Sequence, residues 1–326
     1  MLDLNEISNV TEVITHAFCA DGIASGMIAK DVLPNAEIRF MSHQTAALHK
    51  LPARPGQLFV DFVPPRERAQ EFVDAGAIVL DHHRGSEDIV RMFGDRGIFA
   101  DEEKEPGVSG ALLAFRHVWK PLAEVGMKTI IRQQLIEDFA TLAGIRDTWQ
   151  MESPLWMAAR NQTDVLHFFA QEEWIETLFG PVFHERMRLG PRLTEKFDER
   201  VKGSLKEAYW FDTHGLRFVI ITGVSTTSDA MNLVRDKADV VIGFLYRLEA
   251  PFIHGSGDGA GPKLQLSIRS RGKFNCQAFA TVHGGTGHER SAGCKLSVGH
   301  YAANPYAHIM AVVENHFRLG APRRAD

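Results

Sequence analysis

Short β-branched and apolar runs alternate with amphipathic stretches through the first third of the chain: VTEVITH, ADGIASGMIAKDVL, AEIRFMSH, GQLFVDF, RERAQEFVDAG and AIVLDHH. The hydrophobic period moves between that of a strand and that of a helix, which predicts strand–helix–strand units and a parallel sheet with helices on both faces. The runs end on polar residues with ligand chemistry. In open parallel sheets ligands gather outside the carboxyl ends of the strands, where strand order reverses, so His16, Asp21, Asp61, Asp81, His82 and His83 are expected to converge there.

From about residue 106 to 180 apolar residues recur at spacings of three and four, as in GALLAFRHVW and IIRQQLIEDFATLAGI, and the spacing predicts helices that cover the sheet. The charged stretch VFHERMRLGPRLTEKFDERVKGSLKEA follows, broken at Gly190-Pro191, and reads as a helical connector. The pattern then restarts. RFVIITGV, DVVIGFLYRL, KLQLSIRSR and CKLSVG read as strands, and SDAMNLVRDKA, FNCQAFATV and PYAHIMAVVENHF as helices. The expected architecture is α/β: a parallel-sheet domain over 1–185, a helical linker over 186–204, and a smaller mixed α/β domain over 205–326.

Composition narrows the class. With 326 residues, 44% hydrophobic and 24% charged, the chain is long enough for two cores. It contains no apolar run of membrane-spanning length, and MLDLNEISNV lacks the form of a secretion signal, so a cytoplasmic protein without a membrane partner is expected. The three cysteines, Cys19, Cys276 and Cys294, form no C-x-x-C pair, so reduced thiols are expected. A net charge of −5 argues against wrapping a long nucleic-acid duplex. The 15 histidines, several beside aspartates at the ends of apolar runs, raise the question of a metal.

Asp81-His82-His83, directly after AIVL, is the sharpest signal, because anionic oxygens and imidazoles on a strand end suit a divalent cation. A polar surface turn is the alternative. Asp61 in LFVDFVPP is a lone carboxylate in an apolar run, and either sits at an exposed strand end or binds a cation. Asp21 lies where it could cap a helix or face an anion-loving helix N-terminus beside His16, and Asp147 in AGIRDTW reads as a helix cap, a solvated turn or a fourth ligand. In the second half, Gly284, Gly285 and Gly287 allow a backbone turn that presents N–H groups to a phosphate, with His288 as a side-chain donor and Arg269 as a bidentate clamp. A plain glycine turn beside a solvated arginine is the alternative.

Taken in order, HAFCADGIAS, VDF, VLDHH and GIRDT resemble the four motifs of the DHH phosphoesterase family. LSIRSRG followed by GGTGHERSAG resembles the substrate-binding signature of the DHH-associated domain that often follows it. The resemblance implies a two-metal site, usually manganese, in a cleft between the domains. His16, Asp21, Asp61, His82 and Asp147 would be ligands, with Asp61 bridging. Asp81 would orient the site or add an oxygen, and His83 would face the substrate; these two are the candidate catalytic residues. Hydrolysis would proceed by a metal-activated hydroxide, with cations about 3.5–4 Å apart and no protein nucleophile. Cys19 departs from the family, which commonly has an acidic residue there; it is either a thiolate ligand favouring a softer metal or a small buried bystander.

The implied substrate is a short oligonucleotide or small nucleotide, and a homodimer is allowed. Two other readings stay open: a pyrophosphate or polyphosphate hydrolase, and a nucleotide-binding regulatory protein whose metal site has decayed through Cys19. HGSGDGAGPK lacks the Lys-Ser/Thr ending of a phosphate loop and reads as a hairpin connection. Trp149, Trp156, Phe168 and Phe169 read as packing residues of the helical cap.

Overall fold

The computed structural model describes residues 2–42, 46–101, 104–126, 129–223, 227–234, 236–248, 262–298 and 304–319. The chain divides into two compact units, Met1–Glu195 and Lys196–Asp326. In the first unit α1 (Leu4–Ser8), β1 (Glu12–His16), α2 (Ala20–Val32), β2 (Glu37–Met41), α3 (Ala46–His49), β3 (Gln57–Val60), α4 (Ala69–Asp74), β4 (Ile78–Asp81), α5 (Glu87–Met92) and β5 (Gly97–Phe99) alternate. A helical run follows: α6 (Gly110–Ala114), a π-helical turn, α7 (Lys120–Val125), α8 (Ile130–Asp147), α9 (Trp156–Phe168), α10 (Gln171–Thr177), α11 (Pro181–Met187) and α12 (Gly190–Lys206), the last crossing into the second unit.

The five strands of the first unit are all parallel, in the order β2-β1-β3-β4-β5. Alternation along each strand sends side chains to opposite faces. Val13, Leu58, Val60, Ile78 and Leu80 pack with α2, α6 and α8, whereas Ile14, Phe59 and Val79 pack with Leu48, Phe72 and Ile89 on the other face. A sheet buried on both faces needs continuous apolar strands, and QLFV and IVLD supply them. Helix α2 is buried on almost every side, which is why its sequence is apolar and small rather than striped. Its Asp31 accepts from Trp119 Nε1 at 2.8 Å and pairs with Arg132, so this buried carboxylate is satisfied. In the helical cap Phe169 packs against Trp174, but Phe168 is exposed, contrary to the packing role its neighbours suggest.

The second unit holds β6 (Tyr209–Thr213), β7 (Leu216–Thr222), α13 (Thr227–Leu233), β8 (Val240–Leu248), β9 (Pro262–Ser270), α14 (Cys276–Val282), β10 (Thr286–His288), β11 (Ser291–Ser297) and α15 (Pro305–Arg318). Its six strands run in the order β10-β11-β9-β8-β7-β6, with only β7 and β8 parallel. This is a mixed sheet, with α14 and α15 packed on one face and α13 on the other. The connection 249–261, which contains HGSGDGAG, lies outside the described residues, and the Pro262-Lys263 that completes the HGSGDGAGPK stretch opens β9. No helix among them is long and apolar enough to cross a membrane.

Candidate metal centre

From β1 the chain crosses to β2 on one side and then to β3 on the other, so strand order reverses between β1 and β3. Loops leaving the carboxyl ends of two such strands diverge and open a crevice. His16 is the last residue of β1, Asp61 follows β3, and Asp81 ends β4 with His82 and His83 after it. Asp21 lies in the first turn of α2, and Asp147 is the last residue of α8.

The structure brings these residues together. His82 Nε2 lies 3.2 Å from Asp61 Oδ1, 3.6 Å from Asp147 Oδ2 and 3.7 Å from Asp21 Oδ2. On the opposite oxygen of the same carboxylate, Asp61 Oδ2 is 4.0 Å from His16 Nδ1. Three overlapping groups each place their ligand atoms within 4.8 Å of one another: Asp21, His82 and Asp147; His16, Cys19 and Asp61; and Asp61, Asp81, His82 and His83.

Several residues absent from the sequence argument hold this arrangement. The Asp21 carboxylate accepts the N–H groups of Gly110 (2.6 Å) and Ala111 (3.0 Å), so it caps α6 rather than its own helix. Gly110 must lack a side chain, because a Cβ there would sit 2.2 Å from Asp61 Cβ. Ser109, whose Oγ accepts from Leu112 N–H, marks this helix start; S-G before ALLA was the only available signal. Asp61 has φ +57°, a left-handed conformation costing about 1–2 kcal/mol for a residue with a side chain, and its N–H donates to Leu80 O at 3.0 Å. Phe18 is also left-handed, φ +59°, and stays exposed while its N–H donates to Gln171 Oε1 at 3.1 Å. Ser86 Oγ donates to Asp81, whose other oxygen meets His83 Nδ1 at 2.7 Å.

The electrostatics separate two kinds of carboxylate. Burial opposes charge on Asp81, yet the His83 imidazole, with help from His82 and Ser86, holds it down to about 2. Burial likewise opposes charge on His83, but the adjacent Asp81 and then Asp61 carry it up to about 9. Asp61 goes the other way: burial, and the charges of Asp21, Asp147 and Asp81, push it well above the usual carboxylate range against only His83. Its Oδ2 is buried with no hydrogen-bond partner among the described residues. Cys19, half-buried, is pushed up by burial and by Asp61, Asp147 and Asp21. A buried carboxylate among carboxylates, with an unpartnered oxygen and imidazoles around it, fits a divalent cation in donor type and in charge.

The expected substrate residues of the second unit are arranged differently from the single glycine turn the sequence suggests. Gly284, with φ +67°, ends α14; its N–H bonds to Thr281 O and that of Gly285 to Ala280 O, so both amides close the helix instead of facing outward. A Cβ on Gly285 would meet Gly293 O at 2.2 Å, which explains that glycine by packing. Gly287 and His288 belong to strand β10 and pair with Ala292 and Ser291; the His288 side chain lies outside the described part of the structure. Arg269 lies within β9, next to its end. Its guanidinium donates to Ser228 Oγ at 2.8 Å, Ser267 Oγ at 3.3 Å and Ile268 O at 3.0 Å, all neutral acceptors, and burial lowers its pKa.

No family model matches the chain. No curated protein matches it either. Solved structures do match over nearly its whole length. A pGpG-specific phosphodiesterase, PggH of Vibrio cholerae, aligns at 11% identity and TM-score 0.51, covering 93% of this chain and 99% of that one. The DHH domain of a member of a family of ribosomal proteins aligns at 13% identity and TM-score 0.60, over 98% and 88%. The exonuclease RecJ bound to manganese aligns at 14% identity and TM-score 0.58, over 96% and 91%. With a switch-point sheet carrying the aspartate and histidine motifs and a second mixed sheet behind it in sequence, the chain has the fold of the DHH phosphoesterases.

Proposed function

We propose that the chain is a metal-dependent phosphoesterase that hydrolyses phosphoester bonds of short oligonucleotides or small nucleotides, with two divalent cations, manganese foremost. The observation that carries this reading is Asp61: buried, unpartnered at Oδ2, and surrounded by three further carboxylates. Its two oxygens face different groups, Oδ1 toward His82 and Oδ2 toward His16, as a bridging carboxylate requires. Asp21, His82 and Asp147 would hold one cation and His16 the other. When bound, such a pair supplies Lewis-acid stabilisation of the phosphoryl group and lowers the pKa of a water.

The chain's own residues have distinct tasks in this reading. Asp81 keeps His83 protonated at Nδ1, which leaves Nε2 of a partly exposed imidazolium to donate to a phosphoryl oxygen of the substrate. Arg269, whose partners among the described residues are neutral, retains a full positive charge for a second phosphate or a terminal group. Among proteins of this fold one is a pGpG-specific phosphodiesterase and another an exonuclease, which supports a nucleotide ester as substrate. The net charge of −5 favours the short end of that range.

The test is hydrolysis by the purified, manganese-replete protein of a panel containing a linear dinucleotide, short RNA oligomers, a nucleoside bisphosphate and pyrophosphate. Cleavage of the dinucleotide to mononucleotides, lost in Asp61→Asn, is the expected result. Cleavage of pyrophosphate alone would replace the substrate class, and a metal-loaded protein that leaves every member intact would end the enzymatic reading.

A further inference from the structure

We propose that Cys19 is a thiolate ligand, so that the His16–Cys19–Asp61 half of the centre is a mixed nitrogen, sulfur and oxygen site that takes a softer cation than the Asp21–His82–Asp147 half. This rests on the proposed metal centre and adds to it a chemical difference between its two halves. Ligand atoms of His16, Cys19 and Asp61 lie within 4.8 Å of one another, close enough for one ion to meet all three. The buried, unpartnered Asp61 Oδ2 points toward this half, 4.0 Å from His16 Nδ1. That oxygen needs a partner that none of the described residues provides.

The other two cysteines show what a structural thiol looks like in this molecule. Cys276 and Cys294 sit buried in the apolar core of the second unit, among Phe274, Phe279 and Leu266. Cys19 sits instead beside the aspartate and imidazole of the crevice. It occupies the N-cap position of α2, where its thiol lies by the Gly22 amide and the crevice ligands. Its backbone is extended at φ −116° and ψ 132°, which turns the side chain toward His16 and Asp61. Thiolate ligands shift preference toward zinc, cobalt or ferrous iron, while carboxylate and imidazole donors suit manganese and magnesium.

Cobalt(II) reads the ligand directly. In the full-length protein titrated with cobalt, a thiolate-to-metal charge-transfer band in the near-ultraviolet is expected, absent from Cys19→Ser and Cys19→Asp, with the visible ligand-field bands kept in Cys19→Asp. Competition between zinc and manganese should shift toward manganese by roughly tenfold or more in Cys19→Asp, which restores an oxygen donor and guards against misfolding of the serine variant. Stoichiometric cobalt binding with no charge-transfer band, in a protein that still hydrolyses a dinucleotide, would overturn the role of Cys19 and leave the phosphoesterase reading intact. Failure to bind cobalt at all would remove both.

Discussion

The sheet of the first unit buries a carboxylate at each end, and the two are treated in opposite ways. At the amino end Glu12, 2% exposed, is met by Arg54 at 2.9 Å, by Gln57 Nε2 at 2.6 Å and by Arg39. Burial opposes its charge, but these partners together hold its pKa below the usual glutamate value. At the carboxyl end Asp61, 1% exposed, has no arginine or lysine partner; among the described residues it faces imidazoles and other carboxylates, and its pKa is pushed up. A fold that neutralises one buried acid with two guanidiniums has left the other short of positive charge. Burial alone therefore does not mark a functional carboxylate; burial without a partner does.

The sharpest way to break this contrast is Asp61→Asn. If the deficit is filled by cations, the variant should lose about 10³-fold or more in kcat, the scale on which single electrostatic stabilisers are lost. Its melting temperature in chelator should nevertheless rise, because a buried charge among like charges is removed. A melting temperature that falls would make Asp61 a structural residue like Glu12. The converse substitution, Glu12→Ala, should cost about 1–3 kcal/mol in urea unfolding, because the buried Gln57 amide loses its carboxylate acceptor while Arg39 and Arg54 reach solvent, with the specific activity of the folded fraction unchanged. The sign with pH follows from the lowered value: Glu12 stabilises the protein above its unfolded pKa of about 4.3, and that contribution fades as pH falls toward the folded value. Glu12→Gln should therefore flatten the acid limb of the stability curve, and an unaltered limb would contradict the pairing.

Cations sharpen the same contrast at a smaller scale. Manganese at about 100 times its dissociation constant should stabilise the wild-type protein by about 2.7 kcal/mol through binding to the folded state alone. Glu12→Gln should keep that increment and Asp61→Asn should lose most of it, as measured by thermal melts with and without chelator. Equal increments in both variants would move the cation to some other place on the molecule.

Much of this was legible because it is written in periodicity. The apolar runs ending at His16, Asp61 and Asp81 became β1, β3 and β4 with their polar residues at the switch point. What escaped had weak periodic signals. β5 is three half-buried residues, Gly97–Phe99, and β6, YWFDT, lies mostly exposed and is joined to β7 through His214 and Gly215, both at positive φ. Such a two-residue turn is usually announced by Asn-Gly or Asp-Gly, and His-Gly conceals it. The supports of the site were hidden for another reason: Gly110 matters through a close approach to Asp61, far away along the chain, and Asp21 through the amides of a helix it does not belong to. Neither fact has a local pattern. The glycines near 285 are ambiguous for the opposite reason, since glycine suits a phosphate turn and a helix end equally well.

The smallest expected effect concerns the second unit, where the contrast reappears with its sign reversed. Arg269 is a half-buried cation whose described partners are two serine hydroxyls and a carbonyl, none of which neutralises it, as no guanidinium or ammonium among the described residues neutralises Asp61. In the proposed reading the missing charge is a substrate phosphate. Charge-assisted hydrogen bonds of this kind contribute about 1.5–3 kcal/mol, so Arg269→Ala should raise KM for a dinucleotide by about tenfold or somewhat more, with kcat largely kept. Arg269→Lys should recover only part of the affinity, because an ammonium keeps the charge but not the planar fork. An Arg269→Ala variant with unchanged KM but lower unfolding free energy would show instead that the guanidinium serves the packing of β9 against α13, and the anion would have to be held elsewhere.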